Sequence, residues 1–267
     1  MKAAQIIDKL EQLAPIAYAE SWDNVGLLVG GKHCPVTSVM VSMDITPEVI
    51  SEAVSQKAEL IISHHPVIFQ PLKRLSPTDV PYLLVQNGLC AIAAHTNYDL
   101  ACGGVNACLA ERLQLKQISM LEEYEHSGLA ASLIGQLETE MKSSEFAAYV
   151  KTQLECKGLK FTVGKTKVKK VAVACGAGSS SIFAAGAAGA DAFVSGDSKH
   201  HELLAASSMG IPWWTQDILQ RKILQSSLYA TACPKNFRKY ALSNHNKKTL
   251  CSIWFNSISL KGGETWL

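Results

Sequence analysis

The chain has 267 residues, 48% of them apolar and 18% charged, and a net charge of +2. That length suffices for one large or two ordinary domains with a sizeable core, and so small a net charge argues against nucleic acid or a membrane surface as an obligatory partner. The eight cysteines (34, 90, 102, 108, 156, 175, 233 and 251) form no C-x-x-C pair and no zinc-like spacing, a pattern that suits a reducing, cytoplasmic setting.

Ile6, Ile7, Leu10 and Leu13 predict an amphipathic helix over residues 1–13, not a signal peptide. Pro15 breaks that pattern, and residues 20–31 read as a loop, Glu-Ser-Trp-Asp-Asn-Val-Gly-Leu-Leu-Val-Gly-Gly. A strand over Val39–Met43 ends at Asp44, and Thr46-Pro47-Glu48 then opens a helix with a hydroxyl cap, a proline and an acid at its positive end. That helix leads to Leu60–Ser63, a second apolar strand, so the segment predicts a parallel βαβ unit.

His64, His65 and Pro66 follow directly. On a continuing strand the two imidazoles would face opposite ways. Pro66 donates no N–H and holds its predecessor extended, so both histidines are expected in the loop at the strand's carboxyl end. Ligands bind there in open α/β sheets. A short helix over Val80–Asn87, closed by Gly88, precedes a strand over Leu89–Ala94, and His95-Thr96-Asn97-Tyr98-Asp99 comes next. A His-His pair alone also fits two ordinary histidines in a surface turn, and His-x-x-x-Asp fits a strand-end cap and a turn. Parallel strands present their carboxyl ends on one edge, and the convergence of His64, His65, His95 and Asp99 there favours a metal site.

The second half predicts a helix over Ser143–Glu155, strands over Val168–Ala174 and Ala192–Ser195, and a helix running to Met209. Gly176 and Gly178 sit between strand and helix as a phosphate cradle would, with Asp197 farther on, but the third glycine of a dinucleotide fingerprint is missing. A nicotinamide-binding oxidoreductase is therefore a minor reading. Asp197 and His201 are candidate pocket residues, and a polar cap for the last helix accounts for them equally well.

Trp22-Asp23-Asn24-Val25-Gly26-Leu27, Ser63-His64-His65-Pro66, His95 to Asp99 with Gly103-Gly104-Val105-Asn106, and Gly196-Asp197 to His201 together resemble the NIF-three-like proteins, also called GTP cyclohydrolase I type 2 homologues. The resemblance runs in order from about Met1 to Pro212. It implies an α/β fold of two related lobes with mixed, largely parallel sheets flanked by helices, here residues 1–125 and 126–212, in a toroidal homohexamer. It also implies two divalent metal ions per subunit (Zn, Mn, Fe or Mg), with His64, His65 and Asp99 as ligands. The expected activity is metal-dependent hydrolysis of a nucleotide or other phosphate-containing small molecule, with no protein catalytic base to name. The rival expectation is a ring-forming scaffold or regulatory interactor whose metal is structural.

One departure stands out. The family draws its last ligands from a C-terminal Asp-x-Gly-His-x-x-Thr-Glu motif, and this chain instead continues from Pro212 as Trp-Trp-Thr-Gln-Asp-Ile-Leu-Gln-Arg-Lys222. Residues 211–261 contain no glycine, against sixteen in the first 210, and four of the five tryptophans lie in residues 213–267. An α/β domain needs glycine at its turns and caps. Read one base out of register, the codons available for residues 213–222 permit Val-Asp-Thr-Gly-His-Ser-Thr-Glu-Lys, which resembles the missing motif. Residues 213–267 are accordingly expected to be an out-of-frame or poorly packed tail.

Overall fold

Two β-sheets organise the chain in this computed structural model, which describes residues 1–155, 159–162, 166–176, 178–211, 213–215 and 238–239. The first sheet has the strand order β1-β4-β3-β2-β11, formed by β1 (Gly26–Val29), β2 (Ser38–Ser42), β3 (Leu60–Ser63), β4 (Cys90–Ala93) and β11 (Arg238–Lys239). β2, β3 and β4 are parallel neighbours, with Ser42 opposite Ser63 and Ser63 opposite Ala93. Their carboxyl ends therefore share one edge.

Every residue of β2, β3 and β4 is buried, as expected for a parallel sheet covered on both faces. Alternation divides them. Val39, Val41, Leu60 and Ile62 enter the main core, while Met40, Ile61 and Ala91 face the opposite way into a second cluster with Val49, Ile50 and Leu84. Those last three come from α2 (Pro47–Ser55) and α3 (Val80–Gln86). The Thr46 hydroxyl accepts from the Val49 N–H, so the cap read from sequence is made. α1 (Ala3–Leu13) buries Ala3, Ile6 and Leu10.

The second sheet has the order β5-β6-β8-β9-β10-β7. It comprises β5 (Lys116–Tyr124), β6 (Leu129–Lys142), β7 (Lys160–Phe161), β8 (Lys167–Ala174), β9 (Ala192–Ser195) and β10 (Trp213–Thr215). β8, β9 and β10 are parallel, and β5 and β6 form an antiparallel hairpin. α6 (Ser143–Gln153), α7 (Ile182–Ala187) and α8 (His200–Ser208) complete this half. Val171, Val173 and Val194 join Val39 and Leu60 in one core cluster, together with Leu109 of α5 (Val105–Arg112) and Phe146 of α6. Both sheets thus pack on a common interior, and among the described residues no helix is long and apolar enough to cross a membrane.

Three segments differ from the sequence reading. Residues 26–29, expected within a loop, form the edge strand β1 antiparallel to β4. Gly30 permits this: its φ is +95°, and a Cβ there would strike Cys90 Sγ and lie 3.1 Å from the Cys90 backbone. Residues after His95, also expected as loop, coil into the short helix α4 (Thr96–Leu100). The β5–β6 hairpin was not anticipated, because β5 is mostly exposed and carries no clean apolar alternation. The expected tail lies outside the described residues except for 213–215, paired with β9, and 238–239, paired with β2.

Glu59 fastens the entrance of β2. Its carboxylate accepts from Thr37 N–H at 3.0 Å, Ser38 N–H at 2.8 Å and the Thr37 hydroxyl at 2.7 Å. Partial burial raises its pKa, but these bonds outweigh that and leave it below the ordinary glutamate value. A depressed folded pKa gives stability that is present above the unfolded value of ~4.3 and lost as pH falls through the folded one. Glu59→Gln should cost about 1.5 kcal/mol at neutral pH. Urea melts should show the gap between variant and parent shrinking below about pH 4.

Candidate metal centre

The shared carboxyl edge of β2, β3 and β4 gathers the functional side chains. β3 ends at Ser63, and the His64 and His65 N–H groups donate to the Ser42 and Met43 carbonyls, holding the pair against the end of β2. Ser63 Oγ–H donates to the His65 carbonyl at 2.9 Å. β4 delivers His95, and α4 delivers Asp99 about one helical turn later, its N–H bonded to the His95 carbonyl. β1 runs antiparallel, so its amino end lies beside the carboxyl end of β4, with Gly26 opposite Ala93. That direction brings Asp23 to the same edge.

One ring nitrogen from each of His64, His65 and His95 lies within 4.8 Å of the others. The ring centroids are 5.1 Å apart for His64 and His65, 4.9 Å for His64 and His95, and 5.5 Å for His65 and His95. Each imidazole is oriented by an oxygen on Nδ1. His64 Nδ1–H donates to the Ala94 carbonyl at 2.8 Å. His65 Nδ1 bonds Asp44 Oδ1 at 2.6 Å, and His95 Nδ1 bonds both Asp23 oxygens at 2.9 and 3.0 Å. Carbonyls and carboxylates only accept, which places the proton on Nδ1 and leaves Nε2 a bare lone pair. Oxygen acceptors behind histidine are the usual way of fixing the tautomer of a metal ligand.

The donors at the centre of this arrangement call for a positive charge. His64 is fully buried, and burial, reinforced by His95 and His65, pushes its pKa down to about 3, so the ring is neutral at pH 7. Burial raises Asp99 to about 6, which leaves it mostly ionised at pH 7. Asp99 Oδ1 lies 3.7 Å from His64 Nε2, and both atoms are buried without a hydrogen-bond donor. Two unsatisfied acceptors facing each other are costly, and a positive ion between them removes that cost. The residues present therefore fit a bound metal.

Asp23 is the keystone of the outer ring. Besides His95, its Oδ2 accepts from the Thr96 N–H at 3.1 Å and the Thr96 hydroxyl at 2.6 Å. Burial alone would raise its pKa, but the His95 and Thr96 bonds bring it to about 2. Burial likewise pulls His95 down, and the Asp23 contact more than reverses this. Trp22 meets His95 edge to face at 6.2 Å and Phe69 at 5.6 Å, giving the centre an exposed aromatic rim.

Of the residues singled out from sequence, His64, His65, His95 and Asp99 come together. Asp197 and His201 are exposed, on the loop after β9 and in the first turn of α8, and neither belongs to the three-imidazole group. Asp23 and Asp44 were not anticipated as partners. A sequence signal existed for Asp44, an acid closing an apolar strand beside another strand that ends in His-His.

A sequence model of Duf34/NIF3 (NGG1p interacting factor 3) matches residues 1–216. A Clostridium perfringens protein named GTP cyclohydrolase 1 type 2 homolog is 34% identical over 218 residues, covering 79% of this chain and 83% of that protein. A Campylobacter jejuni protein of the same name is 32% identical over 213 residues, covering 78% and 82%. The crystal structure of a Bacillus cereus protein related to NIF3 superposes with a TM-score of 0.80 at 25% identity, covering 87% of this chain and 92% of the other. With more than three quarters of the chain matched and the histidine cluster inside that span, this protein belongs to the Duf34/NIF3 family.

Proposed function

We propose that the chain holds two divalent metal ions through His64, His65 and Asp99, with His95 completing the imidazole cluster, and that it hydrolyses a nucleotide or another phosphate-bearing small molecule. The observation that carries this reading is the buried, donorless facing of His64 Nε2 and Asp99 Oδ1 at 3.7 Å. Nitrogen and oxygen donors suit zinc, manganese or iron. Bound divalent ions supply water activation near neutral pH and polarisation of a phosphoryl oxygen. The chain's own part is to fix the donors: Ala94, Asp44 and Asp23 orient the three rings, and the Trp22–Phe69 rim offers an apolar surface for the uncharged part of a substrate. The relatives' name, GTP cyclohydrolase 1 type 2 homolog, is compatible with a nucleotide.

A cytoplasmic homohexamer is part of the proposal. So is an out-of-frame origin for the residues after Pro212, supported by the family match ending at residue 216. The string permitted by a single shift sets its His and Glu three positions apart, whereas the motif sets them four apart, so one shift restores the residue types without the spacing. The gene's nucleotide sequence decides this: with no His and Glu codons in the alternate frame, the tail is genuine.

Elemental analysis of the purified chain should find a divalent metal, and a nucleotide panel with added Mn²⁺, Zn²⁺ or Fe²⁺ should show hydrolysis that chelation removes. Protein free of metal and unable to take it up would overturn the reading. Metal retained without turnover on any nucleotide would favour the structural-metal scaffold.

A further inference from the structure

Two exposed aromatic rings stand at the rim of the metal centre. Trp22 is 52% exposed and Phe69 46%, with centroids 5.6 Å apart and planes tilted by 55°. Neither is loosely held. The Trp22 indole N–H donates to the Glu20 carboxylate, and the Glu20 N–H donates to the Thr96 hydroxyl at 3.0 Å. That hydroxyl donates in turn to Asp23, the carboxylate behind His95. The chain just before Phe69 is tied to the same segment, where Asn24 Nδ2–H donates to the Ile68 carbonyl at 2.6 Å. The indole therefore takes its position from the network that orients His95, and it meets that ring at 6.2 Å.

The chemistry of this corner narrows what can occupy it. The indole's only donor is taken by Glu20, so Trp22 offers a visitor its π face and no hydrogen bond. A planar ring inserted between two others needs about 7 Å, twice a contact of about 3.5 Å, and 5.6 Å is too little. The visitor must lie flat on Trp22, with Phe69 as a tilted side wall. A phosphate held at the imidazole cluster leaves the far end of a nucleotide beside His95, where Trp22 stands. We infer that Trp22, flanked by Phe69, is a specificity-determining residue on which the nucleobase of a nucleotide stacks, so that sugar phosphates without a base are poor ligands. This deepens the phosphate-substrate reading above and rests on it.

The test is isothermal titration of the full chain with Mn²⁺ present, using GMP, AMP, CMP and ribose 5-phosphate as probes, for the parent, Trp22→Leu and Trp22→Phe. Thermal melting of each protein checks folding. The parent should bind both purine nucleotides at least about tenfold more tightly than ribose 5-phosphate. CMP should fall between, because its ring covers less of the indole. Trp22→Leu should lose that margin with ribose 5-phosphate affinity unchanged, and Trp22→Phe should keep most of it. A parental margin in the leucine variant would overturn the inference, as would a parent that binds ribose 5-phosphate as well as GMP, or binds no nucleotide. An equal loss for nucleotides and ribose 5-phosphate in the leucine variant would make Trp22 structural and overturn it too. Turnover keeps the two readings apart. Nucleotide binding that needs Trp22 but leads to no hydrolysis removes the hydrolase reading and leaves this one. Nucleotide hydrolysis with a KM indifferent to Trp22→Leu removes this one alone.

Discussion

His64→Ala should abolish divalent-metal retention, with affinity falling by at least about 100-fold, more than loss of a supporting residue costs. The ring offers the most enclosed donor of the centre, 0% exposed and with nothing else to bond Nε2. Removing it leaves Asp99 Oδ1 buried opposite empty space and strips the Ala94 carbonyl of its donor. The second loss is a folding penalty of about 1–3 kcal/mol. Isothermal titration with Mn²⁺ or Zn²⁺, beside thermal melting of the metal-free protein, separates the two effects. His126→Ala, at an exposed turn of the β5–β6 hairpin, is the matched control and should change neither. Unaltered metal affinity in His64→Ala would remove the case for this centre.

The second large effect is expected at Gly104, which no ligand argument touches. A methyl group added there would overlap the Tyr98 carbonyl oxygen and sit 2.9 Å from that of Ala101, both backbone atoms that no rotamer change can move. Gly104 caps α5, and its N–H donates to the Ala101 carbonyl at 2.8 Å. Relief requires separating α4 from α5, and α4 carries Asp99. Gly104→Ala should therefore destabilise by about 3 kcal/mol or more and also weaken metal binding through a displaced carboxylate. A chemical-denaturation midpoint within error of the parent would show that the α4–α5 corner yields at little cost.

The strands that form the site were legible in the sequence, and its outer supports were not. Leu60–Ser63 ends in two histidines and a proline, and the chemistry of proline alone places both rings at the end of the strand. Parallel pairing then brings His95 and Asp99 alongside, because the βαβ pattern sets strand direction. The carboxylates behind the rings come from chain separations of 72 residues for Asp23 and 21 for Asp44, and no local periodicity links residues so distant. Asp23 also depends on β1, whose four residues start at one positive-φ glycine and are followed by another, and so resemble a loop until β4 is present to pair with them. The hairpin is hidden in the sequence for a related reason. β5 is stabilised by its ladder with β6, and its own side chains are largely in water.

The common interior of the two sheets bears on how the chain can be divided. Val39, Leu60 and Tyr98 share one cluster with Leu137, Val171 and Val194, so the main apolar cluster belongs to neither half alone, although each half also has a smaller one of its own. A fragment cut near residue 125 would present to water the face that the other half normally covers, and would clump before it could be assayed. The two sheets are thus tied to one interior, and the chain is expected to fold as one unit.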